Sequence, residues 1–157
     1  HAPDHAMGVR NDQPLMGIDL STVLEKLDLP PPTEGYEAPV LIGGPVERER
    51  GFVLHTDDWI SDSTSLAFGD GLALTGTRDV LLAMSDPVSG PRLSRLMLGY
   101  AGWDEGQLEA ELTENIWLTA EADTAMVFDD DHETKWSRAL AGMGVDAARL
   151  SGTGGRA

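Results

Sequence analysis

Apolar positions along this chain fall in short runs separated by Gly and Pro, which predicts many brief elements rather than a few long ones. Residues 1–19 read as irregular or partly extended. Asp19 or Ser21 can cap a short helix with Leu20, Val23, Leu24 and Leu27 as its apolar positions, and Pro30-Pro31-Pro32 ends it. Pro39-Val40-Leu41-Ile42 and Gly51-Phe52-Val53-Leu54-His55 read as compact strands, with Gly43-Gly44-Pro45 as the turn after the first. Ser61 to Phe68 alternates imperfectly, and Gly69-Asp70-Gly71 joins it to Leu72-Ala73-Leu74-Thr75 as a hairpin. Thr77 then caps a helix with Val80, Leu81 and Leu82 on its buried side.

Leu93 to Tyr100 predicts a strand with Leu96, Leu98 and Tyr100 on one face. A turn bearing glycine and Trp103 leads from it into a helix over residues 105–115, where Leu108 and Leu112 stand one turn apart. Ile116-Trp117-Leu118 and Ala125-Met126-Val127-Phe128 read as short strands. Asp130 or Asp131 caps a last helix that carries Trp136, Leu140 and Met143 and ends at Gly144. Strands and helices interleave without a strict βαβ rhythm, which argues an α+β fold with a mixed, mostly antiparallel sheet. The 157 residues suit one domain over residues 1–150, with 151–157 as a frayed tail.

Charge changes the picture. Asp and Glu number 27 against 11 Lys and Arg, a net charge of −16. Between Asp104 and Thr134 there are eleven acids and no Lys or Arg. Such a surface repels a phosphate backbone, so direct nucleic-acid binding is excluded, and a partner drawn to it would be a basic protein. The same acids also read as a solvated face that keeps the chain soluble. With no cysteine there is no disulfide, thiolate nucleophile or thiolate metal site, which fits a reducing, cytoplasmic setting. No run approaches the ~20 apolar residues of a membrane span. The chain opens on His1-Ala2-Pro3-Asp4-His5 without an initiator Met, as a processed or truncated chain would.

Five ordered segments carry a family resemblance: Ala6-Met7-Gly8; Gly43-Gly44-Pro45 with Arg50-Gly51-Phe52-Val53-Leu54-His55; Thr77-Arg78-Asp79-Val80-Leu81; Leu98-Gly99-Tyr100-Ala101-Gly102-Trp103 with Gly106-Gln107-Leu108-Glu109; and Asn115-Ile116-Trp117-Leu118. Together they resemble the AlgH/YqgE family of bacterial proteins. The resemblance implies a barrel-like mixed sheet with helices outside, a cytoplasmic protein and a transcriptional-regulator label without an agreed reaction. It supplies no catalytic residues. Members usually begin with an apolar strand ahead of the point where His1 stands, and a sheet lacking it would expose an edge. After Gly8 the family usually has an apolar pair and then Asn; here Arg10 and Asn11 replace apolar character and Asp12 stands at the Asn.

No catalytic, metal or cofactor constellation emerges. His1, His5, His55 and His132 lack metal-ligand spacing. His55, beside Thr56-Asp57-Asp58, reads either as an acid/base with a carboxylate orienter or as a histidine bonded to backbone, the second being the commoner case. Asp129-Asp130-Asp131-His132-Glu133 reads as a charged helix start before it reads as a cation loop. Ligand or partner contacts are assigned to Gly43, Gly44, Pro45, Arg50, His55, Trp103 and Gln107. The leading functional reading is a non-enzymatic regulatory protein acting through protein contacts. The alternative is a small-ligand binder or cryptic enzyme at the Gly43-Gly44-Pro45 turn.

Overall fold

The computed structural model describes residues 1–2, 4–121 and 123–150; the tail expected over 151–157 lies outside them. The strands are β1 (His5–Gly8), β2 (Pro14–Asp19), β3 (Pro39–Ile42), β4 (Val46–Thr56), β5 (Ser65–Phe68), β6 (Leu72–Thr75) and β7 (Ser94–Asp104). The helices are α1 (Leu20–Lys26), α2 (Arg78–Met84), α3 (Gln107–Thr113), α4 (Thr124–Val127) and α5 (His132–Gly142), with a short 3-10 turn at Ala147–Arg149.

The strand order is β2-β3-β7-β4-β6-β5, and β1 pairs with the far end of β7. β3 and β7 run parallel, and the other pairs are antiparallel. The fold is therefore α+β around a seven-stranded mixed sheet. The sheet does not close: its path ends at β2 on one side and β5 on the other, so the barrel-like shape implied by the family is not what forms.

Both sides of the central strands are buried, so neighbouring residues feed different cores. Val40, Val53 and Leu96 join Leu20 and Leu24 of α1 and Val80, Leu81 and Met84 of α2. Their neighbours Leu41, Leu54 and Met97 face the other way, onto Phe128 after α4. The Asp19 carboxylate caps α1 by accepting the Thr22 N–H at 2.8 Å.

Several elements differ from expectation. The turn expected around Gly102 and Trp103 is strand, because β1 pairs with residues 101–104 and keeps β7 extended. Residues 116–118 form no strand, since Asn115 turns the chain at φ 57 immediately after α3. Ala125–Phe128 lies in and just after helix α4, whose first turn is set by Asp123 accepting the Ala125 N–H at 2.8 Å. In α2 the buried position belongs to Met84, and Leu82 is exposed. In α5, Lys135 takes the inward place and Trp136 is 55% exposed.

Candidate functional site

The turn Gly43-Gly44-Pro45 is forced by packing against β7. A Cβ on Gly43 would stand 2.2 Å from the Gly99 carbonyl oxygen, and one on Gly44 would stand 2.1 Å from the Tyr100 carbonyl carbon. Only glycine permits that approach. The turn then forms one wall of a cleft of about 660 Å³ on the Phe128 side of the sheet. The Gly8–Asp12 loop, Trp103, Trp117, Lys135 and Trp136 complete it.

A buried carboxylate organises the aromatic wall. Glu111 on α3 is 8% exposed, and its Oε2 accepts the indole N–H of Trp103 at 3.1 Å and of Trp117 at 2.5 Å. Its Oε1 accepts the Gln107 side-chain amide at 3.0 Å, and Gln107 in turn accepts the Asp104 N–H at 3.0 Å. The two indoles meet edge to face, 5.7 Å apart at 79°. A shared anion thus fixes both rings before any ligand arrives.

The opposite wall carries Lys135 and Arg10, and the acids Asp12, Glu121 and Asp123 also line the cleft. Lys135 is 4% exposed and donates from Nζ to the carbonyls of Asn11 at 2.9 Å and Val127 at 3.2 Å. Burial, reinforced by Arg95, lowers its pKa from the ordinary lysine value. His132 lies 3.5 Å from that ammonium, and burial, then Lys135 and Arg95, push its pKa down too. Arg95 donates to the Phe128 carbonyl at 2.7 Å and pairs with Asp130. Arg10 and Asp12, in the loop that departs from the family pattern, pair at 2.6 Å.

Of the residues assigned from sequence, Gly43, Gly44, Pro45 and Trp103 meet in this cleft, with Gln107 behind it through Glu111. Arg50 and His55 lie elsewhere. Arg50 pairs with Glu47 at 3.0 Å and stacks over the Phe52 ring at 5.1 Å. His55 is 0% exposed; its Nδ1–H donates to the Thr56 carbonyl at 2.9 Å, and its Nε2 accepts the Thr75 hydroxyl at 2.8 Å. Its orienter is a backbone carbonyl in place of a carboxylate, and both ring nitrogens are occupied inside the fold. Asp129 pairs with Arg138 at 2.9 Å, and Asp131 caps α5 by accepting the Thr134 N–H at 3.3 Å. Among the described residues no group of three or more His, Asp and Glu side chains is gathered as for a metal ion. Sequence reasoning missed Glu111, Lys135 and Trp117 as site members; one of the chain's two lysines at an inward helix position was the available signal.

The AlgH-like family model (DUF179) matches residues 1–148. The chain belongs to the AlgH-like family. It is 50% identical to a UPF0301 protein of Caulobacter vibrioides over 157 residues, covering all of this chain and 80% of that protein. A UPF0301 protein of Ruegeria pomeroyi is 44% identical, with 100% and 85% covered. The solution structure of the AlgH protein from Pseudomonas aeruginosa superposes with a TM-score of 0.76 at 42% identity, covering 100% of this chain and 82% of that one. A Corynebacterium diphtheriae protein shares the fold at 20% identity, with a TM-score of 0.57 over 80% of this chain and 64% of its own. None of the described helices is long and apolar enough to cross a membrane.

Proposed function

We propose that this AlgH-like chain is a non-catalytic regulatory protein that takes a small aromatic anion into the tryptophan cleft and passes its occupancy to a partner protein. The cleft carries this reading. Its volume of about 660 Å³ falls within the range of about 300–1,000 Å³ usual for small-molecule sites. Indole rings fixed by Glu111 favour a flat apolar body, and the Lys135 ammonium favours a carboxylate head. At or beside the lip, Trp117, Leu118 and Trp136 are exposed, an apolar contact surface for a protein. The net charge of −16 supports a basic protein partner over nucleic acid. The lack of cysteine fits action in the cytoplasm.

An NMR titration with 1-naphthoate tests the site. Saturable shifts of the Trp103 and Trp117 indole N–H signals, lost in a folded Lys135→Met variant, support it. Shifts that never saturate, or that persist unchanged in the variant, sink it.

A second reading rests on the lowered pKa of Lys135. A lowered pKa enlarges the uncharged fraction of that amine, and this form would add to the carbonyl of an aldehyde or keto acid and release water to form an imine. Cyanoborohydride reduction with glyoxylate would then leave a stable adduct on Lys135, visible by peptide mass spectrometry. Its absence leaves simple binding as the account.

A further inference from the structure

A second concavity lies on the opposite side of the sheet and shares no lining residue with the tryptophan cleft. α1 and α2 lie over the sheet there, and a groove of about 620 Å³ remains open beside them. Its interior is aliphatic. Val53 and Leu96 form the floor, and Ile18, Val23, Val80 and Leu81 form the sides. The hydroxyl of Thr75 is the polar group at the floor, and it is already committed to His55 at 2.8 Å and Ser65 at 2.7 Å. Nothing in that interior would satisfy a polar ligand body.

The rim has the opposite chemistry. Lys26, Arg48 and Arg78 line it, against the single acid Glu49. That is three of the 11 basic side chains but one of the 27 acids. Among the described residues, none of the three cations pairs with a carboxylate. Arg78 donates to the Leu27 carbonyl, which holds its guanidinium at the end of α1. A strongly acidic chain has thus gathered exposed, uncompensated positive charge around one apolar groove.

We infer that the groove beside α1 and α2 binds a single-chain fatty carboxylate, its acyl chain on Val53 and Leu96 and its head among Lys26, Arg48 and Arg78. An apolar chain removes the groove from water, and the forked guanidinium groups meet the carboxylate. The site stands independently of the tryptophan cleft, which asks for a flat aromatic body.

Isothermal titration of the intact chain with dodecanoate, below its micelle concentration, tests the inference. One molecule should bind per chain. Affinity should fall by at least about tenfold, or 1.4 kcal/mol, in the double variant Arg48→Glu/Arg78→Glu. Both residues are exposed, and circular dichroism of the double variant checks that it keeps the fold. Dodecanol, with the same chain and no charge, should bind more weakly, as should butyrate, which has the head without the chain. Lys135→Met should bind dodecanoate like the wild type, which separates this site from the cleft. Equal binding of dodecanoate and dodecanol, equal binding by wild type and the double variant, or no saturable binding would each overturn the inference.

Discussion

On the α1/α2 face of the sheet, Val40, Val53 and Leu96 meet Leu20, Leu24, Val80 and Met84, with aliphatic carbon against aliphatic carbon. On the other face, Leu41, Leu54 and Met97 meet Phe128, and beyond that small cluster the packing passes to Glu111, Lys135, Arg95 and the residues they bond. The first arrangement depends on area removed from water and is indifferent to proton and salt concentration. The second depends on ionised groups at short range, each of which costs stability if its partner is lost. A protein gains little stability from a buried lysine held by backbone carbonyls. The second face is therefore where we place recognition through buried ionised groups; the first supplies most of the fold's strength, with ligand chemistry confined to the open groove at its edge.

Adjacent residues of β7 provide the sharpest comparison. Leu96→Ala and Met97→Ala, on opposite faces, should each cost about 2–5 kcal/mol in urea unfolding, with the same cost at pH 5.5 and 8. A near-neutral result for either would show that its face is not a core.

Gly44→Ala comes next. Its methyl would meet the Tyr100 backbone at 2.1 Å, so a loss of about 3 kcal/mol is expected. Gly142→Ala, in a helix with open space around it, should instead gain about 0.5–1 kcal/mol. If the two behaved alike, the turn would not be packed against β7.

Glu111→Gln should cost about 1–3 kcal/mol, since an amide that keeps its oxygen on the two indole N–H groups turns its own NH2 onto the Gln107 NH2, donor against donor. The indole N–H resonances of Trp103 and Trp117 should move together, and movement of one alone would break the shared-anion arrangement.

The smallest effect is the pH response of His132. Its folded-state pKa lies below the ordinary 6.5, so the folded chain holds fewer protons there than the unfolded one. Its contribution to stability is complete above about pH 6.5 and falls away as pH drops toward the folded-state pKa. His132→Asn should flatten the stability profile over that window. An unchanged slope would show that His132 is not held down by burial beside Lys135 and Arg95.

The same contrast explains what the sequence revealed. The α1/α2 face was legible because its signals are local: Leu20 and Leu24 repeat at one helical turn, Asp19 stands at the cap, the run Pro39–Ile42 stops at Gly43, and Leu72–Thr75 lies between Gly71 and Gly76. The turn Gly43-Gly44-Pro45 was visible as a bend, but the β7 backbone that demands it is more than fifty residues away. Ala125–Phe128 is too short for periodicity to separate helix from strand, and the Asp123 cap decides it. Glu111 looks like one more surface charge on an acidic helix until the strand before it and the turn after it bring Trp103 and Trp117 onto its carboxylate. Lys135 was hidden by Trp136, which by hydrophobicity should have turned inward. Polar sites assembled from remote residues leave little trace in a single chain's pattern.

Intermolecular NOEs with 1-naphthoate decide whether the Trp103–Trp117–Lys135 cleft is a binding site. Contacts should run from the naphthalene protons to the Trp103 and Trp117 rings, with the Lys135 methylene signals shifted alongside. Contacts confined to Val53, Val80 or Leu96 on the opposite face, or the absence of any contact at saturating naphthoate, would contradict that assignment.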